Sequence, residues 1–431
     1  MLIPWITLAF QCIINMYFIN LFPEYTGVFA FISIVINAIS VYIGIKKEFK
    51  NKDILTLIAW IGFSLRLIFL IWDLNCRNIF VLPNSGLDTE TFAIFAESGF
   101  LYGDYGRIRG YSKFIAFWYN FFGIERVIPQ YINVLLGTTQ IMLCYRICKM
   151  LNLKRFPIYI CVFLLSVLPN TLIMNAILLR ETIICFIVAL SVYMFVKWQV
   201  GGGLHYVIYA MVFSCIGAYF HSGAIAALLG EAVVYCLYDK RSKTIKLKGK
   251  SIVMAAVCIC IFFAIYALLG DALFGKFARV ESAEDIVGTA EYYDNGGAAY
   301  NAGFAINNTA LNLIVNTPIR MLYFVVSPMP WDWRGLQDII AFFFSSTVFG
   351  YAYYSSIVNL KKKLGTKEKR TLILSFLIFA LCSAAVFAWG VSNSGTALRH
   401  REKFLFIYIV LIGLCIDNRY ANTNTNLEVK N

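Results

Sequence analysis

Hydrophobic runs of about twenty residues recur along the chain, and short polar segments separate them. Because a helix needs roughly 20 apolar residues to cross the hydrocarbon core of a bilayer, each run is a candidate span. The pattern predicts about twelve spans, with centres near Ile14, Ile36, Ser64, Gly137, Leu164, Leu190, Met211, Leu229, Ile261, Phe349, Leu381 and Tyr408. The predicted fold class is therefore an all-α integral membrane protein with a single membrane domain over residues 1–431.

Two apolar segments, "YSKFIAFWYNFFG" (111–123) and "PIRMLYFVVSPMPW" (318–331), are shorter than a span, and Lys113, Arg320 and prolines interrupt them. Since tryptophan and tyrosine concentrate at membrane surfaces, we expect two short interfacial or re-entrant helices on the outer side. The first span is predicted to be a permanent anchor, because it has neither the basic segment nor the small-residue cleavage site of a signal peptide.

Composition and charge give this pattern an orientation. Hydrophobic residues make up 60% of the chain and charged residues 14%, and the mean hydropathy is +0.71. The formal net charge of +13 arises largely from basic runs between spans, which is typical of cytoplasmic loops and not of a nucleic-acid-binding patch. These runs are 46–53, 149–155, 239–250 and 361–370. Both termini are then predicted to be cytoplasmic, with outer loops at 75–126, 271–335 and 392–403.

The cysteines give no sign of a metal centre. Twelve cysteines lie almost entirely within the predicted spans. The pairs Cys144/Cys148 and Cys258/Cys260 have no neighbouring histidine or carboxylate, so they are predicted to pack as small apolar side chains. The sequence therefore requires no metal and no other cofactor, although the acidic outer loop leaves room for a divalent cation.

Unusual polar residues collect on the predicted outer side. A carboxylate can take a proton from an attacking hydroxyl, and arginine binds phosphate through two parallel hydrogen bonds. A pocket with both kinds of group suits a lipid-linked phosphate substrate. The candidate residues are Asp88, Glu90, Arg180, Glu181, His221, Arg399, His400 and Arg401.

Each candidate also has a simpler interpretation. Asp88 and Glu90 fit a solvated loop, and Glu181 fits the first turn of a helix. His221 fits a membrane interface, and the basic residues 399–401 fit anchors for lipid headgroups. The hypothesis of a substrate site therefore depends on these residues acting together.

Aromatic and polar outer segments are the candidate sugar contacts. Trp331 and Trp333, in "SPMPWDWRG" (327–335), fit a wall on which sugars stack and fit a membrane anchor equally well. The segment 271–316 is rich in tyrosine, asparagine and glycine, a composition shared by sugar-binding loops and flexible loops.

The run "DTETFAIFAESGFLYGDYGRIRGYSKFIAFWYNFFGIERVIPQYINVLLG" and the later "LPNTLIMNAILLRETIICFIVALSVYMFVKW" resemble the membrane glycosyltransferases of the C superfamily. In that group an acidic motif in the first large outer loop precedes a "GY" helix and an "FG" turn, and a polyprenyl-phosphate sugar is the donor. Arg180, "YFHSGAIAALLG" and "LRHR" also resemble the Wzy and EpsG-like polymerases of bacterial surface polysaccharides. The resemblance covers roughly residues 85–240 and 392–416.

This resemblance implies glycosyl transfer at the outer face of the bacterial cytoplasmic membrane. The donor is a polyprenyl-(di)phosphate-linked sugar or repeat unit, the acceptor is a glycan, and the favoured reaction is polymerisation of an O-antigen, capsule or exopolysaccharide. The implied partners are the lipid bilayer and other polysaccharide-assembly proteins.

The resemblance also implies roles for the candidate residues. Asp88 or Glu90 acts as the base on the acceptor hydroxyl, and His221 orients the phosphate or acts as an acid. Arg180, Arg399, His400 and Arg401 bind and neutralise the departing phosphate. Glu181 is the orienting partner of Arg180.

Two alternatives stay open. The nearer one is a non-polymerising sugar transferase, and the other, of a different class, is a lipid-linked oligosaccharide flippase. Transport usually needs charges within the membrane, and Arg66 and Glu231 lie near the middle of predicted spans. We expect these two to pair with each other or with nearby polar groups. Because most unusual polar residues lie on the outer side, transfer is favoured over transport.

Overall fold

The structure is a computed structural model, and the part of the chain that it describes is mostly helical. The described residues are 1–50, 53–106, 109–249, 251, 253, 299–300 and 310–428, without the side chains of 310–314, 389 and 418–428. The predicted span near Ile261 and most of the segment 271–316 lie outside the described residues.

Helices account for most of the described chain. They are α1 (Ile3–Leu21), α2 (Thr26–Glu48), α3 (Asp53–Asn75), α4 (Leu87–Tyr102), α5 (Arg109–Phe122), α6 (Val127–Met150), α7 (Arg155–Val167), α8 (Pro169–Ala176), α9 (Glu181–Gly201), α10 (Leu204–Phe220), α11 (Ile225–Leu237), α12 (Ala310–Val326), α13 (Leu336–Ala341), α14 (Thr347–Lys361), α15 (Lys367–Gly390), α16 (Ser394–Glu402) and α17 (Leu405–Glu428). A small antiparallel hairpin, β1 (Tyr238–Asp239) with β2 (Thr244–Ile245), interrupts the predicted basic loop 239–250.

Several of these helices can cross a membrane. Within the described residues six are long and apolar enough, and the bent pair α7 and α8 makes a seventh. The six are α1, the stretch Pro23–Glu48, α3, α6, α9 and Lys367–Ala388 of α15. Shorter apolar helices cover Leu204–Phe220, Ser222–Leu237 and Leu405–Asp417. The chain is therefore an all-α membrane protein, as predicted.

The count of twelve spans stays a prediction. The predicted run around Phe349 is not one long helix, because a π-helical turn over Phe342–Ser346 separates α13 from α14. The segment 111–123 is a short helix, α5, as expected. The segment 318–331, however, is not a separate short helix, since its first part continues α12, with Pro318 inside that helix.

Two predicted outer loops contain helices. α4 lies within the predicted loop 75–126, and α16 covers most of "SNSGTALRHREK" (392–403). The Asn393 side chain accepts hydrogen bonds from the backbone N–H groups of Gly395 (2.9 Å) and Thr396 (3.2 Å) and so caps α16. The polar composition of this segment had suggested a loop, whereas the cap and the helix-forming residues after it favour a helix.

The chain divides into two compact units. Unit 1 comprises Met1–Arg146 and Val162–Phe186, and unit 2 comprises Ile147–Cys161 and Ile187–Asn431. Each unit is described by itself below.

A broken helix in unit 1 accounts for the buried Arg66. α7 and α8 meet at 50° just before Pro169. Because proline has no N–H to donate, carbonyl groups of the preceding turn lose their helical donors. The Arg66 guanidinium donates instead to the carbonyl oxygens of Leu165 (2.7 Å) and Ser166 (3.2 Å). It therefore satisfies backbone groups that would be costly to leave without donors inside a membrane.

Asn133 of α6 supports a second break, between α8 and α9. Its Nδ2 donates to the carbonyl oxygens of Ile177 (2.9 Å) and Leu179 (3.1 Å). α6 can approach α8 closely because Gly137 has no side chain, since a Cβ there would lie 2.2 Å from Nδ2 of Asn175. These contacts fix the start of α9, where the predicted Arg180–Glu181 pair lies.

Glu231 of unit 2 is also satisfied by neighbouring polar groups. It accepts hydrogen bonds from the hydroxyls of Ser191 and Ser214, the latter at 3.0 Å. Arg66 and Glu231 each therefore have the nearby polar partners that were one of the two predicted alternatives.

Candidate functional site

A charged network lies in unit 1, where α3 ends and α4 and α6 begin. Glu90 accepts hydrogen bonds from Nη1 of Arg77 (2.5 Å) and from Nη1 of Arg126 (2.8 and 2.9 Å). The buried Asp73 lies 3.9 Å from Nε of Arg77 and 3.9 Å from Nη2 of Arg126. Asp73 also accepts a hydrogen bond from Gln130 (2.6 Å). The formal charges of these two carboxylates and two guanidinium groups cancel.

This network does not favour the predicted role of Glu90 as a base. Partial burial acts to raise the pKa of Glu90, but the hydrogen bonds from Arg77 and Arg126 outweigh burial and hold the pKa below its usual range. A carboxylate with a low pKa is a weak base at neutral pH. Asp88 lies exposed in the first turn of α4 and is the better placed of the two predicted bases.

Arg180 and Glu181 lie at the beginning of α9, as predicted. Glu181 is buried in the first turn, and the half-buried Arg180 lies over the ring of Phe92 at 5.7 Å. Phe92 belongs to α4, the helix that carries Glu90, and it contacts Tyr111 edge to face at 4.8 Å. Unit 1 therefore brings together two groups of predicted site residues.

A histidine cluster lies in unit 2. The rings of His221 and His400 are 4.9 Å apart, and both contact the ring of Phe387, at 5.9 and 4.8 Å. The ammonium group of Lys403 lies 5.6 Å from the same phenyl ring. A Cβ at Gly223 would lie 2.3 Å from the ring of Phe387, so glycine at this position allows that ring to pack beside the backbone next to His221.

Hydrogen bonds define how the two histidines are oriented. Nδ1 of His221 accepts from the backbone N–H of Gly223 (3.1 Å). Nζ of the buried Lys403 lies 2.7 Å from Nδ1 of His400, which accepts when the lysine is protonated. In the neutral rings the proton then lies on Nε2 of both histidines. The cluster thus combines two imidazole donors with a buried ammonium.

The predicted phosphate contacts of Arg399 and Arg401 separate in the structure. Arg401 is buried, and its guanidinium donates to the carbonyl oxygens of Val325 (2.8 Å) and Ser327 (2.6 Å) and to the hydroxyl of Ser346 (2.9 Å). Burial lowers the pKa of Arg401 to about 10, so the group stays charged at neutral pH. These bonds make Arg401 a structural tie, which argues against its predicted phosphate role. Arg399 is half-buried on the same helix.

The two candidate sugar contacts also differ. Trp331 is 65% exposed and donates to the hydroxyl of Tyr323 (3.3 Å). Trp333 donates to the carbonyl oxygen of Pro328 (3.3 Å) and contacts the ring of Phe342 at 5.4 Å. Exposure favours Trp331 as the stacking surface, whereas Trp333 packs within the unit.

The cysteines in the described part of the chain form no disulfide bond. Cys144 and Cys148 are buried on successive turns of α6, whereas Cys258 and Cys260 lie outside the described residues.

Sequence reasoning missed several of the contacting residues. Lys403 follows His400 by one helical turn, and that spacing is a readable signal. Arg126, Gln130 and Asn133 repeat with helical spacing through an otherwise apolar run, which marks one polar face of a helix.

Comparison with family models, with curated proteins and with solved structures finds no match.

Proposed function

We propose that this protein transfers a glycosyl group at the extracytoplasmic face of the bacterial cytoplasmic membrane. The donor is a polyprenyl-(di)phosphate-linked sugar or repeat unit, and the acceptor is a glycan hydroxyl. The first assignment within this class is polymerisation of a surface polysaccharide, in line with the resemblance to the Wzy and EpsG-like polymerases. The nearest alternative is addition of a single sugar by a transferase of the C superfamily.

The observation that carries the proposal is the cluster of His221, His400 and Lys403. Sequence reasoning selected the two histidines from distant parts of the chain, and they lie in contact with each other in unit 2. Two Nε2–H donors beside an ammonium suit the oxygen atoms of a diphosphate leaving group. Arg399, one residue before His400, supplies a further cation in this part of the proposal.

The proposed reaction breaks one bond and forms one. The acceptor oxygen attacks the anomeric carbon of the donor, and the bond between that carbon and the phosphate oxygen breaks. The electron pair leaves with the polyprenyl (di)phosphate, whose negative charge the histidine cluster neutralises. A carboxylate takes the proton of the acceptor hydroxyl, and the sequence selects Asp88 for that role. The sequence also selects Arg180, with Glu181 as its orienting partner, as a phosphate contact.

The proposal includes a topology. Twelve spans with both termini in the cytoplasm place the basic runs inside and the candidate residues outside, as the distribution of lysine and arginine favours. Tags at residues 48, 245 and 365 should then report the cytoplasm, and tags at 95 and 395 should report the outside.

Transfer is preferred to transport for a structural reason. Arg66 donates to backbone carbonyl groups at a helix break, and Glu231 accepts from serine hydroxyls. Charges committed to such local contacts support the architecture of a bundle better than a moving path for a substrate.

The decisive experiment is reconstitution with a synthetic polyprenyl-diphosphate repeat unit, followed by separation of the products on a gel. A ladder of products supports a polymerase, and one added unit supports a transferase. Unchanged substrate that has crossed the bilayer would overturn the proposal in favour of a flippase.

Histidine variants make this test specific. We expect His221→Gln and His400→Gln to lower the rate about 10²–10³-fold at normal abundance, the usual effect of losing a transition-state contact. His205 is the third histidine of the chain and is exposed on α10, so His205→Gln is the matched control and should be unchanged. Equal rates in all three variants would remove the cluster from the mechanism.

A further inference from the structure

Arg320, which interrupts an apolar segment in the sequence, joins α12 to the end of α15 in unit 2. Its side chain is buried, at 3% exposure. Nε donates to the carbonyl oxygen of Ala388 (3.1 Å), and Nη2 donates to the hydroxyl of Ser392 (3.0 Å). Ala388 lies in the last turn of α15, where carbonyl groups have no donor within the helix, and Ser392 lies in the connection to α16. One guanidinium therefore fixes the end of α15 and the approach to α16.

Phe324 makes a second contact between the same two helices. It follows Arg320 by four residues, so both side chains leave the same face of α12. The rings of Phe324 and Phe387 stack almost in parallel, with centroids 5.5 Å apart and planes at 5°. Phe387 directly precedes Ala388, so α12 holds two neighbouring residues of α15, one by its ring and one by its carbonyl group.

These contacts continue into the histidine cluster. The ring of Phe387 contacts the rings of both His221 and His400. His400 also lies on α16, which begins two residues after Ser392. A shift of Phe387 would therefore change the surroundings of both imidazoles, and a shift at Ser392 would move the helix that carries His400.

We infer that Arg320 is a positioning residue for the histidine cluster. It acts by holding Ala388 and Ser392 in place, through N–H groups set in one rigid plane that a lysine ammonium does not reproduce. The positioning role is argued from these contacts alone, whereas its consequence for catalysis rests on the proposed function. In that reaction the cluster neutralises the leaving group, and a misplacement of about 1 Å costs about 10²-fold in rate.

Two variants and a matched control test this role. Arg320→Lys keeps the charge and removes the two-point geometry, and Ser392→Ala is milder because it removes one acceptor. Ser375→Ala is the control, since Ser375 is also a buried serine that accepts a hydrogen bond from another helix, from Gln199 at 2.8 Å. It lies on α15 about 18 Å from Phe387 along the helix axis. Thermal unfolding of each full-length variant in lipid nanodiscs shows that it is folded and what its stability costs.

The direct measurement is the NMR spectrum of the histidine side chains, with the Cε1–H groups labelled with carbon-13. The chain has three histidines, and each signal is assigned by its loss in the corresponding histidine-to-glutamine variant. The ring current of Phe387 acts on the two imidazoles that it contacts. The signals of His221 and His400, the cluster signals, therefore report the arrangement without any substrate.

The expected spectra differ between the variants. Arg320→Lys and Ser392→Ala should move both cluster signals and leave the signal of His205 in place. Ser375→Ala should leave all three signals at their wild-type positions, even where its cost in stability equals that of Ser392→Ala.

Transfer kinetics with the synthetic polyprenyl-diphosphate repeat unit give a second measurement. Arg320→Lys should lower kcat about 10²-fold and change KM little, because misplaced donors lose a contact that is made in the transition state. Ser392→Ala should lower kcat by a smaller factor, and Ser375→Ala should keep the wild-type kcat.

The outcomes separate the positioning role from the proposed function. Unmoved cluster signals in folded Arg320→Lys and Ser392→Ala overturn the positioning role, and the proposed function stands where the wild type transfers sugar. If Arg320→Lys does not fold, the comparison of Ser392→Ala with Ser375→Ala decides, and equal cluster signals in these two overturn the role. Moved signals in a protein whose wild type transfers no sugar support the positioning role and overturn the proposed function. Moved signals with a wild-type kcat also support the positioning role, and they remove the histidine cluster from the mechanism.

Discussion

Units 1 and 2 use their buried and half-buried charges in different ways. In unit 1, Asp73 and Glu90 are matched by Arg77 and Arg126 in one network of ion pairs. In unit 2, the ammonium of Lys403 contacts an imidazole and a phenyl ring, and Arg401 donates to carbonyl and hydroxyl groups. The carboxylate of Glu402 also acts on Arg401 and raises its pKa, so unit 2 has an opposite charge beside this arginine as well. The units therefore differ in hydrogen-bond partners: guanidinium groups donate to a carboxylate in unit 1, whereas Arg401 of unit 2 donates to carbonyl and hydroxyl oxygen atoms.

The comparison is most sharply tested on α16, where two arginines lie two residues apart. Arg401→Met should cost roughly 3–5 kcal/mol, the range for removing one partner from a buried charged network, and most of the folded protein should be lost. Arg399→Met should lose activity about 10²–10³-fold, because it removes the proposed phosphate contact, and it should accumulate better than Arg401→Met, because Arg399 is half-buried whereas Arg401 is buried. Membrane-inserted protein per cell and polymer formed per inserted protein are the two measurements.

The result that would break the assignment is the reverse pattern. If Arg401→Met accumulates normally and is inactive while Arg399→Met fails to accumulate, Arg401 is the substrate contact. The structural role derived from its hydrogen bonds would then be wrong.

Arg66 is expected to show a smaller effect, purely on stability. Arg66→Met leaves two carbonyl groups at the α7–α8 break without donors, and about 1–3 kcal/mol is expected for unsatisfied buried groups of this kind. Because Arg66 and Glu231 have separate local partners, Arg66→Met combined with Glu231→Leu should lose the sum of the single effects. Thermal unfolding of the two single variants and the double variant measures this. Recovery of stability in the double variant would indicate a direct ion pair and would revive the transport alternative.

The sequence pattern predicted where several helices lie, but it did not predict where helices break or which side chains hydrogen-bond across the fold. Apolar runs fix where chain can be buried in lipid, so α1, α2, α3 and α9 were all expected. The π-helical turn at Phe342–Ser346 was not expected from the sequence. Ser345 and Ser346 in this turn accept hydrogen bonds from Arg401, which lies far away along the chain. Tertiary partners of this kind leave no periodic signal.

The candidate site shows the same limit. Residue type and depth selected Arg401 and Arg399 equally, because both are cations in one short polar segment. The structure distinguishes them by burial: Arg401 is buried and donates to carbonyl groups, whereas Arg399 is half-buried on the same helix. Likewise, Asp88 and Glu90 are two residues apart in sequence, and the sequence does not show that Glu90 accepts hydrogen bonds from two arginines.

The smallest effect is expected at Glu90, and it concerns pH. The folded pKa of Glu90 is lower than its unfolded value, so its ion pairs stabilise the protein above the unfolded pKa, about 4.3. That stabilisation is lost as the pH falls through the folded pKa. Since the side chain is 42% exposed, solvent screening limits the contribution to less than about 1 kcal/mol. Glu90→Gln should therefore unfold at a slightly lower temperature than the wild type at pH 7, and the difference should vanish only once the pH has fallen below the lowered folded pKa of Glu90.

The same variant separates the ion-pair role of Glu90 from a base role. A residue that is ionised throughout neutral pH does not create a limb in the activity profile there, so Glu90→Gln should keep the wild-type shape of rate against pH from about 5 to 8. Asp88→Asn is the control, because loss of the proposed base should lower the rate about 10²–10⁴-fold across that range. If the acidic limb instead disappears in Glu90→Gln and persists in Asp88→Asn, Glu90 is the proton acceptor. Its two arginines would then tune the pKa of a catalytic carboxylate, and the assignment of the base to Asp88 would be wrong.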